Sequence, residues 1–175
     1  MPTESALIVP IPEAEFLVSG FRDRFDPSAL AGVPAHVTLL YPFKPPSEFH
    51  TEVIERLAKL FSSFQCFATS FARTKRFPGV LYLAPEPDEA FRCMTEEIVR
   101  QFPETPPYAG KFSDVIPHLT VADINDSDRL DGIAAEFEET AKGRLPIPAT
   151  IADVCLIDNQ SGRWTTRQRF KLAKP

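Results

Sequence analysis

Two rhythms of apolar and polar positions run along this chain, and together they mark out its elements. Ala6–Ile11 (ALIVPI) is apolar throughout and reads as a short buried strand. A polar, turn-like stretch through Pro27 and Ser28 follows, with Phe21–Asp26 as part of a first helix. His36–Phe43 (HVTLLYPF) reads as a strand, bounded by Pro34 before it and Pro45–Pro46 after it. From Glu48 to Phe64 the apolar residues Phe49, Val53, Ile54, Leu57, Leu60, Phe61 and Phe64 recur at helical spacing, with Ser47 as the N-cap. Cys66–Arg73 and Gly79–Ala84 then form a predicted hairpin joined by Thr74–Pro78.

The second half repeats the scheme. Asp88–Phe102 is a predicted helix with Phe91, Met94, Ile98 and Val99 on one side. A Pro-rich loop covers Pro103 to Pro117, and His118–Asp123 (HLTVAD) is a strand. Asn125–Lys142 is the third clear helix, with an Asn/Asp/Ser cluster in front and Gly143 behind. Closing strands near Ala149–Ile157 and Trp164–Leu172 flank a turn at Asp158–Gly162. Hairpins between helices, rather than regular strand–helix–strand crossovers, point to an α+β fold with antiparallel sheets. Each half holds a histidine strand followed by an amphipathic helix and further strands, which suggests two lobes within one domain spanning residues 1–175.

Composition narrows the function classes. The 175 residues carry a net charge of −5, and 43% are hydrophobic, enough for a real core. A protein that wraps a long nucleic-acid backbone is usually basic, so that mode is disfavoured, whereas a pocket for one or two phosphates is not. Cys66, Cys93 and Cys155 are odd in number and widely spaced, with no CxxC pair. That suggests reduced thiols in the cytoplasm rather than a disulfide framework or zinc site. No signal-peptide pattern and no run of eighteen apolar residues is present, so no membrane association is expected.

The chemistry rests on one repeated string. His36-Val37-Thr38-Leu39 and His118-Leu119-Thr120-Val121 share the order His, apolar, Thr, apolar, and they take up two of the three histidines. On a strand, successive side chains alternate faces. His36 and Thr38 therefore project together, as do His118 and Thr120, with Val37, Leu39 and Tyr41 opposite. Two such strands across a cleft bring two imidazoles and two hydroxyls together. Imidazole titrates near neutral pH, so one ring can be neutral and take a proton from water while the other, cationic, gives one to a leaving oxygen. The hydroxyls can donate to non-bridging phosphate oxygens. This is phosphodiester chemistry with no need of a metal or cofactor.

These strings resemble the two motifs of the 2H phosphoesterase superfamily, in particular its bacterial 2′-5′ RNA ligase-like and cyclic phosphodiesterase members. The likeness lies in His36–Phe43 and Pro117–Ala122 and extends to Gly79–Pro85 and Trp164–Leu172, so it covers most of the chain. It implies a bilobal α+β fold, two antiparallel sheets facing a central cleft with helices packed outside. It also implies attack on 2′,3′-cyclic phosphates or 2′-5′ linkages of nucleotides or RNA ends. The partner would be a nucleotide or an RNA terminus bearing a phosphodiester, met by a monomer.

Other residues carry less. His50, beside Phe49, reads as a surface residue. Alternation puts Tyr41 and Phe43 on the core face, and Arg73–Arg76 reads as a solvated hairpin turn. Tyr108 and Lys111, in the loop before the second motif, and Arg163 and Trp164, at the closing hairpin, are candidate substrate contacts. Two other functions compete with the enzyme: a binding module that holds a nucleotide or RNA terminus without turning it over, and a metallohydrolase. The latter needs ligands at short spacings, and only Asp114 and Asp123 lie near either histidine.

Overall fold

A computed structural model describes residues 2–175. Eight strands form one antiparallel sheet in the order β6-β3-β4-β5-β2-β1-β7-β8. In chain order they are β1 (Ser5–Pro10), β2 (His36–Leu40), β3 (Phe67–Phe77), β4 (Val80–Glu86), β5 (Leu119–Asp123), β6 (Ile147–Ile151), β7 (Asp153–Asp158) and β8 (Thr165–Lys171). Five helices accompany them: α1 (Glu15–Phe25), α2 (Pro27–Leu30), α3 (Thr51–Ser62), α4 (Glu89–Gln101) and α5 (Ser127–Ala141). The α+β class with antiparallel pairing is as the sequence indicates.

The two expected sheets are one. Strands β2 and β5 sit side by side at its centre, and a single register pair, Val37 with Leu119, joins them. That seam separates two four-stranded halves, each with one motif strand along it. The halves are not successive in sequence: β3 to β6 make one, while β1, β2, β7 and β8 make the other.

The helices bury periodic apolar faces. Leu130, Ile133, Ala134, Phe137 and Ala141 of α5 lie three to four residues apart, and all are buried. Asp126 caps this helix by accepting from the Arg129 N–H at 3.1 Å. With Leu57, Leu60 and Phe61 of α3 and Phe91, Met94 and Ile98 of α4, they join the sheet residues Leu7, Val9, Val37 and Leu39 in the main core. On the other face of β1, Ala6 and Ile8 pack with Val33, Cys155 and Ile157 in a second, smaller cluster.

Four sequence expectations change. Arg73–Arg76 is strand, not turn: Arg73 to Phe77 pair with Ala84 to Val80, and only Pro78–Gly79 connects β3 to β4. Gly79 turns there with φ +77°, and a Cβ on it would meet the Ile124 carbonyl oxygen at 2.5 Å. The predicted Ala149–Ile157 strand breaks at Ala152 into β6 and β7, which pair with β3 and β1 in opposite halves. Ser47 caps nothing, because a 3₁₀ turn at Pro46–Glu48 intervenes and α3 starts after His50. The first helix begins earlier than Phe21, at Glu15.

Candidate active site

Because β2 and β5 are neighbours, the repeated string becomes a single site. His36, Thr38, His118 and Thr120 all line one cavity of about 380 Å³. Burial follows the alternation read from sequence: Val37, Leu39, Leu119 and Val121 are buried, while the four polar residues are half-exposed.

The two imidazoles are held identically. Nδ1 of His36 lies 2.7 Å from the Pro34 carbonyl oxygen, and Nδ1 of His118 lies 2.7 Å from that of Ile116. A carbonyl only accepts, so each Nδ1 carries the hydrogen and each neutral ring keeps its lone pair on Nε2. Burial pushes the His36 pKa down to about 4, with the Arg22 guanidinium adding to the effect and Asp26 opposing it. Burial also lowers that of His118, against the pull of the Ile116 carbonyl and Asp123. Near neutral pH both rings of the unliganded protein are therefore neutral. An anionic ligand between the rings would favour a proton on one of them.

Each motif strand ends in a bulge. In β2, Leu40 pairs with Leu7 and Thr38 with Ile8, leaving Leu39 without an opposite residue. In β5, Ala122 pairs with Leu81 and Thr120 with Tyr82, leaving Val121 without one. The extra residue reverses the alternation beyond it. Position five after each histidine, Tyr41 or Asp123, thus joins the histidine face, and both line the cavity. This corrects the placement of Tyr41 in the core; Phe43, by contrast, is buried against Phe102, 5.2 Å between centroids. The first bulge is pinned from α4, where the Thr95 hydroxyl donates to the Leu39 carbonyl at 2.8 Å.

The surroundings of the two strings differ. Beside His36, Tyr41 meets Trp164 edge-on at 6.2 Å and donates its hydroxyl to Glu4 at 2.9 Å. Burial and that bond push the Tyr41 pKa up to about 12. Below them Asp26 caps α2, accepting from the Ser28 N–H and hydroxyl and from buried Arg22 at 2.8–2.9 Å. Asp26 and Ser28 line the cavity, whereas the sequence pattern places Asp26 only at the end of the first helix and Ser28 only in a turn. Asp-Pro-Ser ahead of a short apolar pair is a cap signature that would have flagged them.

Beside His118, Phe77 and Tyr82 present rings at 5.1 and 5.5 Å. Here a second, more apolar cavity of about 570 Å³ opens, with Phe77, Val80, Phe112 and Ile116 in its wall. Tyr108, His118, Thr120 and Asp123 are common to both cavities. Tyr108 reaches them from a left-handed turn, φ +51° followed by +54° at Ala109, and its N–H donates to the Tyr41 carbonyl at 2.6 Å. Such a backbone in residues other than glycine is uncommon and gathers at functional sites. Of the candidate contacts, Tyr108 and Trp164 thus reach the cleft. Lys111 and Arg163 do not: both are exposed and line neither cavity, and Arg163 donates to the Leu30 carbonyl at 3.1 Å. His50 is exposed, as read.

No three histidine, cysteine, aspartate or glutamate residues cluster as a metal site among the described residues. Nor is any described helix long and apolar enough to cross a membrane.

The family model described as the 2′-5′ RNA ligase superfamily matches residues 9–163, a span that holds both strings and both bulges. The chain belongs to this superfamily. Among similar proteins, one from Bacillus cereus named "Putative phosphoesterase" is 27% identical over 161 residues, covering 89% of this chain and 88% of its own. E. coli LigT complexed with 3′-AMP superposes with a TM-score of 0.60 at 15% identity, over 98% of this chain and 99% of that one. LigT complexed with phosphate gives 0.57 at 17% identity, over 98% of each chain. These likenesses establish the fold. Membership in the 2′-5′ RNA ligase superfamily, with the naming of its relatives, supports an enzyme of the phosphoesterase kind.

Proposed function

We propose that the protein is a metal-independent phosphodiesterase, hydrolysing 2′,3′-cyclic phosphates or 2′-5′ linkages of nucleotides or RNA ends with His36 and His118 as its acid–base pair. One observation carries the reading: two imidazoles on one cavity, each with Nδ1 tied to a backbone carbonyl and Nε2 left for proton transfer. The complexes of E. coli LigT with 3′-AMP, NADP+, ATP and phosphate support a nucleotide or phosphate ligand for this fold.

The phosphate anion enters with a proton, which one imidazole holds. The neutral ring takes a proton from water as its oxygen bonds to phosphorus. The ester bond on the far side breaks, and the imidazolium gives its proton to the departing sugar oxygen. Thr38 and Thr120 donate to the non-bridging oxygens, where charge gathers. We assign the base to His36, which faces the Arg22 charge, and the acid to His118, which has Asp123 to favour its protonated form.

The test is a turnover assay of purified protein in EDTA against 2′,3′-cyclic nucleotides, cyclic-phosphate-ended RNA and 2′-5′ dinucleotides. The expected result is hydrolysis of at least one, lowered by about 10²–10⁴ in His36→Gln. Binding without turnover by the wild type would make the protein a nucleotide-recognition module instead.

A further inference from the structure

Neither cavity of the cleft is lined by a lysine or an arginine, yet three aspartates reach it. Two of these are compensated, Asp26 by Arg22 at 2.9 Å and Asp114 by Arg92 at 3.2 Å. The third is Asp123, which the β5 bulge turns onto the face of His118 and Thr120. The charges that act on it are those of Asp26 and His118. Apart from these aspartates, the two histidines, the two threonines and Ser28, the lining is apolar or aromatic, with Tyr41 and Trp164 at one end and Phe77 and Phe112 at the other.

We propose that Asp123 is a specificity residue that restricts this site to phosphodiesters of a single negative charge, flanked on both sides by uncharged groups. The inference rests on the phosphodiesterase reading for its chemistry, not for its binding preference. A monoanion that brings one proton to the imidazole pair leaves the centre electrically balanced. A second charge on the ligand finds no lysine or arginine in either cavity and meets the Asp123 carboxylate, and like charges about 4 Å apart repel by about 1 kcal/mol even beside water. The excluded class includes phosphomonoesters, which carry about −1.5 to −2 at pH 7, polyphosphates, and RNA whose neighbouring phosphates must enter the cleft. Hydrolysis of a cyclic phosphate turns a monoanion into a monoester, so the same carboxylate favours release of the product. Substrates are then cyclic mononucleotides or dinucleoside monophosphates, with the sugars and bases against the aromatic ends.

A matched pair of ligands tests this. 2′-Deoxyadenosine 3′-monophosphate and its methyl ester share base and sugar, differ by one charge, and lack the 2′-hydroxyl that would allow cyclisation. Their affinities for the wild-type protein and for Asp123→Asn are read by calorimetric titration at pH 7.5 in EDTA, with ATP as a third ligand. The wild type should prefer the ester by roughly 5- to 10-fold and bind ATP most weakly, and Asp123→Asn should bring the pair to near parity by tightening the monoester. Asp123→Glu, which keeps the charge, should keep the preference. Tighter binding of the monoester or ATP by the wild type, no binding of the ester, or an unchanged ratio in Asp123→Asn would each overturn the proposal. Selective binding of the ester with no turnover of any phosphodiester would sink the hydrolytic reading alone. Turnover of diesters with no charge preference would sink only this one.

Discussion

The β2 and β5 half-sites share a string, a bulge and a carbonyl-tethered imidazole, yet they present different worlds to a ligand. The β2 side is tied down: Tyr41 bonds Glu4, and Arg22, Asp26 and Ser28 form a closed hydrogen-bonded set below His36. The β5 side opens into the larger apolar cavity, and its fifth position is an exposed carboxylate rather than a tethered phenol. A duplicated strand motif thus supplies equal geometry, while the flanking residues make the two histidines unequal. In the proposed mechanism, acid and base roles follow from the neighbours, not from the motif.

The largest effect expected is loss of either imidazole. His36→Gln and His118→Gln should each lower turnover by about 10²–10⁴ while leaving the melting temperature near that of the wild type. The comparison sharpens with a substrate whose leaving group is a p-nitrophenolate. That group departs without a proton, so most of the defect in His118→Gln should vanish while that in His36→Gln persists. Equal recovery of both variants would erase the assigned asymmetry.

Next comes pH. In the proposed mechanism the reactive free enzyme holds one proton on the pair, and burial holds both pKa values below the ordinary 6.5, that of His36 at about 4. Above the higher of the two the protonated fraction falls as pH rises; below the lower, the base itself is protonated. The bell in kcat/KM should therefore peak on the acid side of 6.5, and a peak above pH 7 would contradict the depressed values.

Smaller effects should follow at the hydroxyls and the bulge. Thr38→Val and Thr120→Val would each remove the proposed hydrogen bond to phosphate, worth roughly 1–3 kcal/mol, or about 5- to 150-fold in kcat/KM. Thr95→Val strands the Leu39 carbonyl and should destabilise the fold by about 1–3 kcal/mol, read by urea unfolding. If it also weakens catalysis through His36 but not through His118, the two bulges are held separately. Least of all, Lys111→Ala should leave both kcat and KM within about twofold, because its side chain lies outside both cavities.

Much of this was legible beforehand because strand alternation and helical spacing are local properties. His36, Thr38, His118 and Thr120 came from a four-residue pattern, and the faces of α3, α4 and α5 from a repeat of three to four. What failed depends on partners distant in sequence. A bulge exists only relative to the strand beside it, so Leu39 and Val121 gave no sign that Tyr41 and Asp123 would turn inward. Arg73 to Arg76 looked like a turn because charge usually marks one, yet their backbone pairs with β4 across an exposed face. Ala152 gave no break signal, because what separates β6 from β7 is the distance between β3 and β1 in the sheet.

The interleaving of the halves has a consequence for how the chain is assembled during synthesis. Everything in the His118 half, from β3 to β6, leaves the ribosome as one uninterrupted stretch, so its strands can pair as they emerge. The His36 half has to wait: β1 precedes all the strands of the other half, but its partner β7 follows them, with Ser5 opposite Asp158. Until β7 emerges, β1 carries an open edge, although β2 and β5, which bring the two histidines together, can already pair.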